Sequence, residues 1–116
     1  MSGYNEKNII LTLTLEFAID IVRYCDYLEE KRKYVIARQL LRSGTSIGAN
    51  TREAQNAESR RDFIHKFKIA AKEAEETEYW LLICRKAEGY PDTTPLMEKL
   101  KSIQRVINKI IGTAKS

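Results

Sequence analysis

Lys and Arg recur at helical spacing in three sets along the 116-residue chain: Arg38, Arg42 and Arg52; Arg61, Lys68 and Lys72; Lys101, Arg105 and Lys109. Basic side chains gathered on a helix face can hold phosphates. Contact with the backbone of RNA or DNA needs only positioned charge and N–H donors, and it gives binding that is indifferent to sequence and weakened by salt. Arg38, Arg42, Arg52, Arg61, Lys68, Lys72, Lys101 and Arg105 are therefore the candidate nucleic-acid-binding residues. Aromatic side chains do not alternate with them, so stacking on single-stranded bases is weakly supported. The net charge of +4 is unevenly spread. Residues 31–72 carry eleven Lys/Arg against three Asp/Glu, and residues 99–116 carry five against none. Residues 1–30 carry two against six, and residues 73–98 two against seven. Such segregation steers a polyanion, and it equally steers one subunit onto another or docks an acidic protein partner. A basic face that merely keeps the protein soluble is the bland alternative.

Catalytic chemistry does not assemble from the remaining residues. His65 is the only histidine, and it shares the charged face of Arg61, Lys68 and Lys72. Ser43 and Ser46 have no nearby base except Glu53, and no Gly-rich phosphate loop follows a strand. Di-metal sites in helical bundles need inward Glu-x-x-His pairs, which this chain lacks. Cys25 and Cys84 stand apart with no CxxC or Cys/His cluster, which points to two buried thiols rather than a zinc site or a disulfide. Glu73 and Glu76 are expected to meet Arg42 or Lys66 as a buried ion pair. No metal, no cofactor and no enzymatic activity are expected.

Helices must position the basic stripes. Proline is rare, at two residues, and the apolar pattern has the helical period throughout. The spacing predicts helices over about 9–30, 34–56, 60–88 and 95–111, joined by short connections. One domain over 1–116 follows, all-α, an antiparallel up-down four-helix bundle. The predicted core stripes are Ile10, Leu13, Phe17, Ile21, Tyr24 and Leu28; then Phe63, Phe67, Ala70, Ala74, Thr77, Leu81 and Cys84; then Leu96, Leu100, Ile103, Ile107, Ile110 and Ile111. Ser59 with Asp62 three residues on reads as the start of the third helix. Gly89 followed by Tyr90-Pro91 reads as its end, and Thr94-Pro95 as the N-cap and first residue of the fourth. Residues 112–116 are expected to fray.

The second helix holds the most unusual stretch, QLLRSGTSIGANTREA from Gln39 to Ala54. Ala37, Leu40, Leu41, Gly44, Ile47, Gly48, Thr51 and Ala54 fall on one face of it. Glycine in a helix interior costs about 1 kcal/mol against alanine, so this narrow seam implies close approach by a neighbouring helix. Gln39, Ser43, Ser46, Asn50 and Glu53 form a polar flank, solvated or hydrogen-bonding. Arg38, Arg42, Thr45, Ala49 and Arg52 form a basic back.

RSGTSIGAN at 42–50 and DFIHKFKIAAKEAEETEYWL at 62–81 closely resemble the bacterial four-helix-bundle proteins encoded in intervening sequences of 23S ribosomal RNA genes, also called S23-type ribosomal proteins. The resemblance runs from about residue 9 to 112 and is sharpest over 39–82. The chain is similar, more distantly, to the accessory bundle protein of diversity-generating retroelements, which assembles as a pentameric barrel and binds nucleic acid. The resemblance implies a four-helix bundle and a pentamer; it implies little chemistry. In the first helix Leu13-Thr14 takes the place of a Lys-Ser pair frequent in the family, which weakens the case for a basic contact there.

The residues themselves also point to an oligomer. Leu15, Ile19 and Val22 make a second apolar stripe on the first helix, opposite its core stripe. A helix apolar on two faces is buried on two faces, and a chain of four helices offers little to cover the second. Tyr79 to Ile83 are apolar around most of the third helix, which adds Trp80 and Ile83 as interface candidates. The start of the chain has neither a basic n-region nor a small-residue cleavage site, and no apolar run approaches the roughly 20 residues that span a bilayer. A cytoplasmic protein is expected.

Overall fold

Four helices make up the described chain: α1 (Ser2–Glu30), α2 (Tyr34–Ala54), α3 (Arg60–Lys86) and α4 (Thr94–Lys115). They belong to a computed structural model that describes residues 2–115, with side chains from 9 to 115. α1 packs against α2 and α4, and α3 packs against the same two helices. The diagonal pairs, α1 with α3 and α2 with α4, make no close backbone approach. Short connections between neighbours make the arrangement an antiparallel up-down bundle, 45 × 22 × 19 Å.

The apolar stripes meet on the bundle axis. Ile10, Phe17, Ile21 and Leu28 of α1, Leu40 and Ile47 of α2, Phe67 and Leu81 of α3, and Leu100, Ile103 and Ile107 of α4 are fully buried. Each such side chain contributes about 1.5–3 kcal/mol, against less than ~1 kcal/mol for an exposed ion pair. Burial of these stripes therefore dominates the fold. Leu13, Tyr24, Phe63 and Ile111 sit at the edge of the core, half-buried.

The seam of α2 packs on α1. A Cβ at Gly44 would lie 2.9 Å from Ile21 Cγ2, and one at Gly48 would lie 3.2 Å from Thr14 Cβ. The close approach is thus made by side chains of α1 entering the space the glycines leave. The polar flank of α2 faces α3 instead. Ser43 is fully buried there, and the Thr77 hydroxyl lies 2.9 Å from Ser43 Oγ and 2.8 Å from the Glu73 carbonyl. Ser43 and Thr77 are thus paired inside the bundle, where an unpaired hydroxyl would be costly.

The ends of the helices depart from the sequence-based expectation. α1 begins at Ser2 rather than near 9, because a nucleated helix propagates cheaply through residues without proline. α4 runs on to Lys115 through the segment expected to fray. α2 stops at Ala54, two residues early, where the amides of Gln55, Asn56 and Ala57 turn to carbonyls three residues back. α3 starts as expected, with Ser59 Oγ accepting from Asp62 N at 3.0 Å, but it ends at Lys86. Its C-cap is Ala87, and Gly89 provides a φ of 84° in the following turn rather than the cap itself. α4 begins at Thr94 rather than after it: Thr93, whose carbonyl accepts from Met97 N at 2.9 Å, takes the cap position, and Asp92 Oδ1 just before it accepts from Thr94 N at 3.1 Å and from Thr94 Oγ1 at 2.8 Å. These bonds hold the Asp92 carboxyl below its usual range.

Between α1 and α2, Arg32 takes a φ of 63°. Lys33 N donates to the Leu28 carbonyl and Arg32 N to the Glu29 carbonyl, both at 2.9 Å, the paired bonds of a helix end that normally carries glycine at the left-handed position. A side chain there costs about 1 kcal/mol or more. Arg32→Gly is expected to stabilise the protein by roughly 0.5–1 kcal/mol, with part of the relief offset by the freer unfolded chain. Thermal melting checks it: an unchanged or lower midpoint would show that no strain is relieved.

Candidate functional site

α3 separates its charges by face. Glu73, Glu76 and Glu78 point sideways to its neighbours, and Arg61, Lys68 and Lys72 point out. On the α2 side, Glu73 accepts from Arg42 Nη1 at 3.3 Å, and Glu76 accepts from Arg42 Nη2. Glu76 also accepts from Trp80 Nε1 at 3.0 Å. The indole N–H first, and Arg42 second, hold the Glu76 carboxyl below its usual range, and Glu76 in turn raises Arg42. On the α4 side, Glu78 accepts from Gln104 Nε2 at 3.0 Å and from Lys101 Nζ at 3.1 Å, and both depress it. Lys66 donates to Glu53 of α2 at 2.9 Å. The expected Arg42 pairing with Glu73 and Glu76 is present, but at the surface rather than buried, with the Arg42 side chain 50% exposed.

The outer ridge of α3 carries Arg61, His65, Lys68 and Lys72, all exposed. At its N-terminal end Arg60, Arg61, Ile64, His65 and Lys68, joined by Lys115 of α4, line an open cleft of about 550 Å³. None of these basic side chains has an ion-pair or hydrogen-bond partner among the described residues. Helical periodicity placed Arg61, Lys68 and Lys72 on one ridge. Arg60 and Lys115 escaped it: Arg60 lies off the stripe by its own period, and Lys115 lies beyond the expected end of α4.

The other sequence-derived basic residues divide into two groups. Arg42 and Lys101 are docked on α3 carboxylates and bring little free charge to the surface. Arg38, Arg52 and Arg105 are exposed, Arg105 with a 3.2 Å bond to Ser102 Oγ. α2 and α4 lie on a diagonal of the bundle, so their outer stripes face away from each other. A single straight ligand on one subunit can follow the α3 ridge but not all three stripes.

The apolar candidates are only partly covered. Leu15, Ile19 and Val22 are 49%, 43% and 41% exposed. Trp80 and Ile83 are half-buried, and Tyr79 beside them is exposed at 59%. The end of α3 is therefore less enclosed within one subunit than its apolar run predicts. Cys25 and Cys84 are buried free thiols, as expected. Burial, with Cys84 nearby, pushes the Cys25 thiol up to about 12. Among the described residues no group of three or more His, Cys, Asp or Glu side chains is placed to hold a metal ion, and no helix is long and apolar enough to cross a membrane.

Comparison with known proteins agrees with this architecture. A crystal structure of a protein of unknown function from the S23 ribosomal protein family of Bacteroides thetaiotaomicron is 42% identical. It superposes with a TM-score of 0.88 over 92% of this chain and 98% of that one. Comparison with curated proteins returns no match. The model of the 23S rRNA-intervening sequence protein family matches residues 6–109. The two long motifs, the four-helix bundle and this match across nearly the whole chain together place the protein in the 23S rRNA-intervening sequence protein family.

Proposed function

We propose that the protein is a non-enzymatic, cytoplasmic homo-oligomer that binds RNA or DNA through the basic outer ridge of α3. The observation that carries this reading is the set of unpartnered cations at Arg61, Lys68 and Lys72, on a chain that pairs Arg42, Lys66, Lys99 and Lys101 with carboxylates. Charge left unneutralised on one ridge attracts a polyanion. Arg38, Arg52 and Arg105 add to the field from α2 and α4, while Arg42 and Lys101 contribute less. Binding is tested by titrating single-stranded and duplex oligonucleotides at several salt concentrations. The affinity is expected to fall steeply with salt, by a log-log slope of about −0.7 to −0.9 per phosphate neutralised. Absence of binding at low salt would overturn the reading and leave an acidic protein partner as the occupant of the ridge.

Assembly rests on the two apolar patches. α1 and α3 are diagonal partners, so the strip Leu15/Ile19/Val22 and the patch around Trp80 and Ile83 lie on two helices that do not touch, as two separate surfaces. Contact between unlike patches is heterologous, and such contacts close into rings when the rotation allows. The pentamer implied by the resemblance is a ring of this kind, and it would repeat the basic ridge around the assembly, raising avidity without new contacts. Ile19→Lys is expected to shift the mass measured by light scattering at micromolar concentration towards the monomer, because it buries a charge without a partner. A wild-type protein that is already monomeric there would sink the oligomer.

A further inference from the structure

We infer that the cleft between the start of α3 and the end of α4 receives the terminal phosphomonoester of a nucleic-acid strand, an inference that rests on the nucleic-acid reading above. Two helices bring Arg60, Arg61, His65, Lys68 and Lys115 around one concavity, with Ile64 as its apolar wall and no carboxylate in the lining. The like charge of Arg60, Arg61, Lys68 and Lys115 is unrelieved among the described residues, where none of the four has a side-chain partner. An anion with several acceptor oxygens supplies what such a cleft lacks. Arginine forks bind phosphate oxygens in pairs, and lysines add point charge. The start of α3 is not itself the site, since Ser59 Oγ already meets the Asp62 amide.

Shape separates a strand end from a strand interior. An internal phosphodiester has one negative charge and a sugar on each side, so it lies along an open surface such as the ridge. A terminal monoester carries about −1.5 to −2 charges at neutral pH, exposes three oxygens, and can enter a cleft end-on. Lys72 continues the α3 face beyond the cleft, so the strand behind the seated end meets the same ridge.

Fluorescence anisotropy on the full chain tests this with oligothymidylates of about ten nucleotides, roughly the span of one basic binding groove. One probe carries a 5′-phosphate, one a 3′-phosphate, and one hydroxyls at both ends. A fourth, hydroxyl-ended and about two nucleotides longer, matches the phosphorylated probes in charge. One phosphorylated probe is expected to bind on the order of tenfold more tightly than the charge-matched probe. Arg60→Ala with Lys115→Ala should abolish that preference and leave the hydroxyl-ended probe within about twofold; both residues are exposed, so circular dichroism and oligomeric mass should be unchanged. Equal, salt-sensitive affinity for all four probes overturns the end-binding cleft and leaves the α3 ridge as the binding surface. An equal loss for every probe in the double variant overturns it too, by making the cleft part of the general field. Absence of binding by any probe at low salt overturns both readings.

Discussion

Arg61→Glu combined with Lys68→Glu and Lys72→Glu is expected to abolish nucleic-acid binding, with affinity reduced by on the order of a hundredfold or more at moderate salt. The three positions lie on the outer ridge of α3, opposite the buried Phe67, Ala70 and Ala74. Among the described residues no ion pair is lost when they change, and surface substitutions of this kind usually alter stability by about 0.5 kcal/mol or less. Helical content and oligomeric mass should therefore persist while binding disappears. A milder comparison isolates the cause. Lys68→Gln and Lys72→Gln should weaken binding and flatten its salt dependence. Lys101→Gln should change binding little, because its charge is already neutralised by Glu78. If the triple variant instead falls apart into monomers, the ridge is a subunit interface, and a scaffold role with an acidic partner gains ground. If it binds as the wild type does, the α3 ridge is not the binding surface.

The largest effect on stability is expected at Gly44. Placing a Cβ there puts it 2.9 Å from Ile21 Cγ2 and 3.0 Å from Ile21 Cγ1. Ile21 is fully buried on α1 and branched at the contact, so it cannot swing aside as the tip of a long surface side chain would. Against alanine, glycine in a helix gives up about 1 kcal/mol, so Gly44→Ala sets that gain against the clash and should come out near neutral or destabilised. Gly44→Val adds two methyl groups to the same space. Its propensity gain is smaller, and overpacking costs about 1–3 kcal/mol, at times more. The valine variant should melt about 5–15 °C below the wild type. Ile21→Ala, which removes both contacting γ carbons, should cost less in the valine variant than in the wild type, since neighbours that share one space couple in a double-mutant cycle. A valine variant melting at or above the wild-type midpoint would remove Gly44 from the tight contact between α1 and α2.

The sequence alone determined the parts of this protein that depend on one helix at a time. Apolar spacing identified the four helices and nearly all the buried stripe residues, because the helical period records which side of a helix leaves water. Ser59 and Asp62 marked the start of α3, because capping is local chemistry. The small seam at Gly44 and Gly48 signalled a tight neighbour, and the motifs around it carried the family. Tertiary structure decided everything that needs the rotation of one helix against another. It chose α1 as the neighbour of the seam, and α3 as the partner that turns Ser43 from a flank residue into a buried one. It also separated equivalent-looking cations: Arg42 is held by Glu73 and Glu76, and Lys101 by Glu78, while Arg61, Lys68 and Lys72 keep their charge. The first two pairings join residues more than thirty apart and the third joins residues 23 apart, and no period within a single helix encodes them. The cleft joining Arg60 to Lys115 has the same origin. Arg32 differs in kind: its left-handed backbone is local, closed by the bonds from Arg32 N and Lys33 N to the end of α1, but it was hidden because the residue that usually signals that conformation is glycine.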